Sequence, residues 1–362
     1  MDNIISFITI HVGHNFGSNL QTIATSIILK RLGYDPIVVN YIPERVTARS
    51  FWRHAFASPI AFLKGIVNVP TFYKNLSIYN SFLSKYCTLS APIYDRDCFK
   101  SKCPTADIYL TGSDQVWNSE HNRSINTRYF FEGIHGKKIS YGSSFGVESI
   151  DFDEFSTFKK LLEDYSAISV REESAKRIVQ SMGYEVTQVL DPTLMLTKEE
   201  WSRFSSAKKI NFPYLLMYVP YNIVNKPLLY QAGRVIAKKY NLKIVTFSWD
   251  FRKEKLADVT VNYANPGDFL TLMSNASIVL TNSFHGTAFS INLNKQFVVF
   301  MPSGYGTRIS SLLTLCGLQD RLMSDLESLN VLENMIDYSN VNNILDKERE
   351  ASLDYLKGAL NG

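Results

Sequence analysis

The chain has 362 residues, with 45% hydrophobic and 20% charged side chains, and its 38 basic and 34 acidic residues leave a formal net charge of +4. That composition is typical of a globular protein, and it excludes a disordered chain, a collagen-like chain and a small fold held by disulfides. The length predicts two domains, because a single hydrophobic core stops growing near ~250–300 residues. So small a charge gives no reason to expect a nucleic acid as partner.

The cysteines and histidines lack the spacing of metal ligands. No C-x-x-C pair occurs among the four cysteines, and the six histidines are scattered along the chain. We therefore expect free thiols, no metal site and no cofactor. The first residues lack the basic segment of a signal peptide, and no apolar run approaches the ~20 residues that span a bilayer. A cytoplasmic protein is expected.

The first half of the chain alternates apolar runs with helical patterns. Residues 4–12 predict a strand, residues 20–32 predict a helix that Gly33 ends, and residues 36–41 predict the next strand. This order is that of a βαβ unit with a buried parallel sheet. The same rhythm continues with strands over 107–111, 137–141 and 167–170 and helices over 153–165 and 172–182. These elements predict a first domain over residues 1–197.

Residues 45–94 differ from the rest of this domain. They contain six lysines and arginines, many large aromatic and aliphatic residues, and no aspartate or glutamate. We interpret the stretch as a helical insertion. A basic and apolar segment of this kind suits an anionic membrane surface or a pyrophosphate-linked acceptor. A helical lid packed on the first domain is the alternative.

The second half repeats the alternation. It predicts strands over 214–219, 243–247, 278–281 and 297–301 and helices over 226–240, 266–275, 284–294 and 307–316. These elements define a second domain over residues 210–335, followed by a C-terminal helix over 340–362. The fold class is therefore α/β, with two doubly wound, Rossmann-like domains that face a central cleft. Ligands of such folds bind at the carboxyl ends of the strands.

Residues 281–287, with the sequence TNSFHGT, lie where a predicted strand ends and a helix begins. Ser283 is a candidate N-cap, and His285 falls in the first turn. Free N–H groups at a helix N-terminus favour an anion, and an imidazole can bind phosphate or exchange a proton near neutral pH. A capping serine beside a satisfied buried histidine would give the same pattern. The candidate anion ligands in this segment are Asn282, Ser283, Gly286 and Thr287.

Residues 111–118, with the sequence TGSDQVWN, also leave a predicted strand. They place the carboxylate of Asp114 between the polar side chains of Ser113 and Gln115. Polar residues crowded at the end of a strand contact a ligand or fix a loop, and a turn with a capping serine is the alternative here.

Two arginines lie at the starts of predicted helices. Arg171 follows a strand, and Arg308 follows a glycine-containing turn. A guanidinium can bind a carboxylate or a phosphate with two parallel hydrogen bonds, although a salt bridge to a neighbouring acid is the alternative. Residues 13–18 form another turn after a strand, and their spacing is not that of a dinucleotide site. Asn15 in this turn is expected to face the cleft.

Taken in order, these segments resemble the polysaccharide pyruvyl transferase family. The likeness rests on GHNFGSNLQ, TGSDQVWN, KISYGSSFG, ISVREES, VLDPTLML followed by EEW, LTNSFHGTAFSI and TRISSLL, which together extend over nearly the whole chain. The resemblance implies two Rossmann-like domains arranged as in GT-B glycosyltransferases. It also implies transfer of the pyruvyl group of phosphoenolpyruvate to two hydroxyls of a sugar, which yields a cyclic ketal and phosphate.

The resemblance also implies roles for individual residues. The family's histidine matches His285, its arginine at a strand–helix junction matches Arg171, and Ser283 stands where characterised members have another arginine. We expect His285 to be the general acid, Arg171 and Arg308 to bind the donor in a positively charged cleft, and Asp114 to orient or deprotonate the acceptor. The residues expected on the acceptor side of the cleft are Asn15, Ser113 and Gln115.

These roles imply the partners of the protein. They are phosphoenolpyruvate as co-substrate and a sugar or lipid-linked oligosaccharide as acceptor, during synthesis of a capsule or another surface polysaccharide. The protein is then expected at the cytoplasmic face of the membrane, in peripheral contact through residues 45–94. Two other functions fit the same architecture: a glycosyltransferase that uses a nucleotide sugar, and a non-catalytic homologue that binds a glycan.

Overall fold

The computed structural model describes residues 3–304 and 306–362. Within them, the strands are β1 (Ile4–Ile8), β2 (Asp35–Val38), β3 (Tyr41–Ile42), β4 (Thr88–Leu89), β5 (Ile93–Tyr94), β6 (Ile108–Thr111), β7 (Lys137–Ser140), β8 (Tyr165–Ala167), β9 (Ser169–Val170), β10 (Thr187–Gln188), β11 (Tyr214–Tyr218), β12 (Lys243–Ser248), β13 (Val259–Asn262), β14 (Ile278–Thr281), β15 (Gln296–Phe300) and β16 (Leu322–Met323).

The helices of the same residues are α1 (Phe16–Arg31), α2 (Ala48–Ala55), α3 (Pro59–Tyr86), α4 (Phe99–Lys102), α5 (Ser119–Asn122), α6 (Phe152–Leu162), α7 (Glu173–Ser181), α8 (Pro192–Met195), α9 (Lys198–Ser202), α10 (Lys226–Lys239), α11 (Pro266–Asn275), α12 (Phe284–Asn292), α13 (Thr307–Leu315) and α14 (Tyr338–Asn361). Short 3₁₀ segments cover Glu44–Val46, Thr127–Phe130, Gln319–Arg321 and Glu327–Glu333.

Over the described residues, the strands form two six-stranded parallel sheets with the same topology. The first has the order β4-β2-β1-β6-β7-β8, and the second has the order β13-β12-β11-β14-β15-β16. In each sheet the chain adds strands on one side of the first strand and then on its other side. The crevice where the order reverses lies between β1 and β6 in the first sheet and between β11 and β14 in the second, and this is where such folds bind ligands.

The α/β class and the doubly wound sheets predicted from the sequence are confirmed. The central strands are apolar runs buried on both faces, as parallel sheets covered by helices require. The runs predicted over 36–41 and 167–170 are each divided between two short strands, so that β3 and β9 pair outside the main sheets. The strands β4, β5, β10, β13 and β16 were not predicted, and β4 and β5 lie within the stretch 45–94 that was predicted to be helical.

The two domains are in close contact. Phe16, at the start of α1, lies between aromatic rings of the second domain, with ring centroids 5.0 Å from Phe269 and 5.1 Å from Phe247. The C-terminal helix α14 returns to the first domain, where the Ser352 hydroxyl accepts a hydrogen bond from the Leu190 backbone N–H at 2.9 Å and the Tyr355 hydroxyl donates to the Ser140 carbonyl at 3.1 Å. The predicted cleft is therefore narrow and largely filled at its centre.

Candidate functional site

The candidate site lies where the reversal points of the two sheets face each other. In the first domain the loops after β1 and β6 are joined, since the Thr9 hydroxyl donates to the Ser113 carbonyl at 2.7 Å. In the second domain the loops after β11 and β14 are joined through Asn282, whose side-chain amide donates to the Tyr221 carbonyl at 2.7 Å. The shared topology thus brings four loops to one place.

The N-terminus of α12 carries the predicted histidine. Ser283 is the N-cap of this helix, and its hydroxyl accepts a hydrogen bond from the Gly286 N–H at 3.3 Å. The Thr287 hydroxyl donates to the Ser283 carbonyl at 3.0 Å. A Cβ on Gly286 would overlap the Thr281 hydroxyl, so only glycine fits there. Asn282, Ser283, Gly286 and Thr287 therefore shape this turn through protein contacts.

His285 projects from the first turn of α12 toward the first domain. Its ring packs so closely on Gly17 of α1 that a Cβ at that position would overlap it. Its Nε2 lies 3.9 Å from an oxygen of Asp191 and has no hydrogen-bond partner among the described residues. Burial lowers the pKa of His285 to about 4, against the opposing effect of nearby Asp191 and Asp114. The imidazole is therefore neutral at pH 7 and has a free nitrogen for a ligand.

Arg171 is the centre of a buried ionic cluster. Its Nη1 donates to Asp191 at 2.6 Å, and its Nη2 donates to Asp114 at 3.2 Å. Its guanidinium also lies over the Phe284 ring, 4.6 Å from the centroid. Sequence reasoning gave no role to Asp191, although an Asp before a Pro at the start of a helix is a recognisable capping signal.

Asp114 receives contacts from both domains. The hydroxyl of Ser18, which sequence reasoning also missed, donates to it at 2.7 Å, and Nη1 of Arg308 in the second domain lies 3.9 Å away. Burial alone would raise the pKa of Asp114, but the charges of Arg171 and Arg308, and that of His285 when it is protonated, outweigh burial and keep the pKa far below its ordinary value. The carboxylate is therefore ionised and a weak base. Its backbone has φ = 76°, a conformation that aspartate tolerates better than most residues.

The expectation of a positively charged cleft is wrong for this cluster. Three buried acids, Asp114, Asp191 and Glu172, lie close to the guanidinium groups of Arg171 and Arg308. Burial raises the pKa of Glu172 above its ordinary value, against the opposing charges of Arg171 and Arg308. The negative charge around Arg171 was underestimated because Asp114 and Asp191 come from separate loops that only the folded chain brings to it.

Phe284 lines two cavities. The first, of about 140 Å³, is lined by Arg308 and by polar groups at the ends of the second-domain strands, including Asn282, Ser303 and Tyr221. Nε of Arg308 has no hydrogen-bond partner among the described residues. The second cavity, of about 230 Å³, is lined by Arg171, Asp191 and mostly apolar residues. The first cavity has the size and charge for a small phosphorylated anion.

The three residues predicted on the acceptor side lie around the loops of the first domain. Asn15 is the N-cap of α1 and accepts a hydrogen bond from the Ser18 N–H at 3.2 Å. The Ser113 hydroxyl donates to Asp191 at 2.9 Å. Gln115 is buried, and its Nε2 has no partner in the part of the chain that the structure describes. Within residues 3–304 and 306–362, no three His, Cys, Asp or Glu side chains cluster as a metal ion would need.

Comparison with solved structures defines the class of fold. A complex of S. aureus MnaA with UDP matches with a TM-score of 0.55 at 12% identity, over 100% of this chain and 97% of that one. The UDP-forming trehalose-phosphate synthase of Burkholderia xenovorans gives 0.54 at 10% identity, over 100% and 99%. A putative UDP-N-acetylglucosamine 2-epimerase from Listeria monocytogenes gives 0.51 at 10% identity, over 96% and 90%. Such low identities establish the fold alone, which is GT-B.

The sequence itself defines the family. The model of the family described as polysaccharide pyruvyl transferase matches residues 15–304. That span includes the loops after β6 and β14, together with His285 and Arg171. The chain therefore belongs to the polysaccharide pyruvyl transferases, a transferase family, and the resemblance seen in its motifs is confirmed. No curated protein matches the chain.

Proposed function

We propose that this protein transfers the pyruvyl group of phosphoenolpyruvate to two hydroxyls of a sugar, at the cytoplasmic face of the membrane, during synthesis of a capsular or other surface polysaccharide. The acceptor is a sugar or a lipid-linked oligosaccharide, and the reaction uses phosphoenolpyruvate without a cofactor. The observation that carries the proposal is the cavity of about 140 Å³ with Arg308 in its wall, beside the helix turn that bears His285.

The donor is an anion, and one cavity of the site offers it a guanidinium nitrogen that has no partner. Phosphoenolpyruvate carries a carboxylate and a phosphate, and the unpartnered Nε of Arg308 and the amide of Asn282 line a cavity of suitable size. An anion placed beside His285 favours its protonated form and raises its low pKa. Donor binding would therefore turn a neutral imidazole into the acid that the reaction needs.

The reaction balances with these groups. His285 gives a proton to C3 of the donor while the first sugar hydroxyl adds to C2, and the proton that this hydroxyl loses restores the protonated His285. The second hydroxyl then adds to C2 as the C2–O bond to phosphate breaks, and its proton leaves with the phosphate as hydrogen phosphate. Asp114 is too weak a base to accept those protons, because its pKa is strongly lowered. We assign Asp114 the role of orienting the acceptor and the side chain of Arg308. Arg171 is bonded to both Asp114 and Asp191, so its role is to fix these carboxylates.

Thermal unfolding with and without ligands tests the donor. A ligand that binds only the native state raises the melting temperature with its concentration. We expect phosphoenolpyruvate to raise the melting temperature of the natural chain and to leave that of the Arg308→Gln variant unchanged. Arg177→Gln, at an exposed ion pair, is the matched control and should keep the full shift.

A shift caused by UDP and absent with phosphoenolpyruvate would replace this proposal with a nucleotide-sugar transferase. A shift with neither ligand would favour a non-catalytic homologue. For catalysis, His285→Ala should abolish release of phosphate from phosphoenolpyruvate in the presence of acceptor, with an unchanged circular dichroism spectrum. A folded variant that remains active would remove His285 from the mechanism.

A further inference from the structure

The insertion predicted over residues 45–94 is a helical hairpin made of α2 and α3. Ser58 caps α3, Pro59 occupies its first position, and the two helices meet at Gly65, where a Cβ would overlap the side chain of Ala55. Glycine at this point allows the two helix backbones to approach closely. The hairpin is therefore a packed unit.

The C-terminal part of α3 is a stalk that joins the hairpin to the second domain. The Asn75 amide donates to the Trp249 carbonyl at 2.6 Å, and the Tyr79 hydroxyl accepts a hydrogen bond from the Trp249 indole at 3.1 Å. The hydroxyls of Thr71 and Tyr263 are 3.1 Å apart. This stalk, residues 71–86, thus packs on the second domain, and Tyr79 also stacks on Phe16 of the first domain, where the alternative interpretation placed a lid.

The other end of the hairpin, residues 56–67, has a different surface, and we call it the tip. Exposed fractions are 67% for Phe56, 68% for Ile60, 66% for Leu63 and 55% for Val67. Such side chains are usually buried, and an exposed apolar patch of this kind marks an interaction surface. Large exposed apolar residues elsewhere in the described chain are separated in sequence, as Phe152, Val224, Val235, Phe251 and Met335 are.

The charge of the hairpin indicates what covers the tip. Arg49, Arg53 and Lys64 are exposed on the same two helices, and no acidic residue occurs from 45 to 94. A second copy of this basic surface would be repelled, whereas an anionic bilayer attracts it. The tip consists of the turn 56–58 and the first nine residues of α3, about 14 Å of helix, which is too short to cross a bilayer. No helix in the described residues has the length and apolar character of a membrane span.

We propose that the tip docks on an anionic membrane surface, with the side chains of Phe56, Ile60 and Leu63 among the lipids and the arginines and Lys64 against the headgroups. Apolar burial and electrostatic attraction act together in such interfacial helices. The stalk connects this surface to the domain interface, so docking brings the candidate site close to the membrane. This inference concerns location, and it stands independently of the donor that the site binds.

Flotation of the full chain with vesicles tests the proposal. We expect binding to mixed phosphatidylcholine and phosphatidylglycerol vesicles, weaker binding to pure phosphatidylcholine, and weakening by salt. The double variant Phe56→Ser, Leu63→Ser should reduce binding about tenfold or more, because each change removes an inserted apolar side chain. Phe152→Ser, at an equally large residue that is 93% exposed outside the hairpin, is the matched control and should bind as the natural chain does.

A second variant separates the contributions of charge and of apolar insertion. Arg53→Gln with Lys64→Gln should weaken binding to the mixed vesicles and leave binding to pure phosphatidylcholine unchanged. Absence of binding to both kinds of vesicle, or full binding by the serine variant, would overturn the proposal. A dimer of the natural chain in solution that the serine variant dissociates would also overturn it, because a second copy would then cover the tip.

Discussion

The two domains share one sheet topology, yet they bring different groups to the interface between them. The first domain supplies Asp114 and Asp191 with Arg171 already bonded to both. The second supplies Arg308 and the neutral ring of His285 at a helix N-terminus. Two contacts of 3.9 Å join these two sets, Arg308 with Asp114 and His285 with Asp191. Topology therefore places the loops, and the residues on each loop decide the chemistry.

The polar groups at the interface also differ in how completely they are used. The carboxylate of Asp191 accepts from Arg171, Ser113 and both donors of Thr193. Nε2 of His285 and Nε of Arg308 in the second domain have no partner among the described residues, and neither has Nε2 of Gln115 in the first. Burying a polar atom without a partner costs free energy, and a ligand that bonds to it recovers that cost. The cluster of Arg171 with Asp114 and Asp191 is thus a fixed support, and both domains leave polar atoms free for a ligand.

Removal of the Arg171 guanidinium should cause the largest loss in the free energy of unfolding. Arg171→Met leaves Asp114 and Asp191 buried without their shared guanidinium, and we expect a loss of about 3–5 kcal/mol in the free energy of unfolding. Urea unfolding measures it. Arg171→Lys should be intermediate, since an ammonium cannot reproduce the planar two-sided contact. A loss of less than about 1 kcal/mol for Arg171→Met would mean that the cluster adds little to stability.

The buried His285 of the second domain should make the free energy of unfolding depend on pH. The pKa of His285 is about 4 in the folded chain, against an ordinary value near 6.5, so only the unfolded chain binds its proton between these values. Stability should therefore decrease as pH falls from about 6.5 to about 4, with a share of up to about 3 kcal/mol from His285. In urea unfolding at several pH values, His285→Asn should lessen this slope, and His135→Asn at an exposed position should not. Equal slopes in all three chains would contradict the burial of a neutral His285.

The sequence was sufficient to predict most of the fold, because buried parallel strands are apolar runs that helical patterns separate. The helix Pro266–Asn275 and the strand Ile278–Thr281 have the bounds predicted for them. The strand Val259–Asn262 was missed because it is short, half exposed and without an apolar run. The two-residue strand Leu322–Met323 is below the length at which any period is visible.

The site was predictable in part for the same physical reason. Polar residues at the carboxyl ends of parallel strands meet at one edge of a sheet, so the proximity of Asp114 to the loop after β1 follows from the rule. Asp191 follows a different rule, because it is the N-cap of the short helix α8 and reaches Arg171 only through the tertiary fold. The low pKa of His285 depends on the burial of its ring, which packs on α1 at Gly17, and no local sequence pattern shows this contact.

Disturbing the contact between the two domains at Gly17 should cause a smaller loss in the free energy of unfolding. Gly17→Ala places a Cβ against the ring of His285, and we expect a loss of about 1–3 kcal/mol in the free energy of unfolding from the forced shift. The variant should also show a reduced thermal shift with phosphoenolpyruvate, because the ring must move. Gly358→Ala, in α14 with no atom within 4 Å of the added Cβ, is the matched control. Equal stabilities of the two variants would show that the domains separate easily at this point.

The smallest loss in the free energy of unfolding is expected for a change at Arg177, which differs from Arg171 chiefly in its exposure to solvent. Arg177, on the helix that follows Arg171, pairs with Glu148 at 2.7 Å, and their side chains are 57% and 67% exposed. Solvent screens such a pair, so Arg177→Gln should cost no more than about 0.5–1 kcal/mol in urea unfolding, and added salt should remove even that. A cost close to that of Arg171→Met would show that burial is not what makes the interface cluster important. A negligible cost would support the view that the first domain owes its rigidity at the site to desolvated charges held by hydrogen bonds.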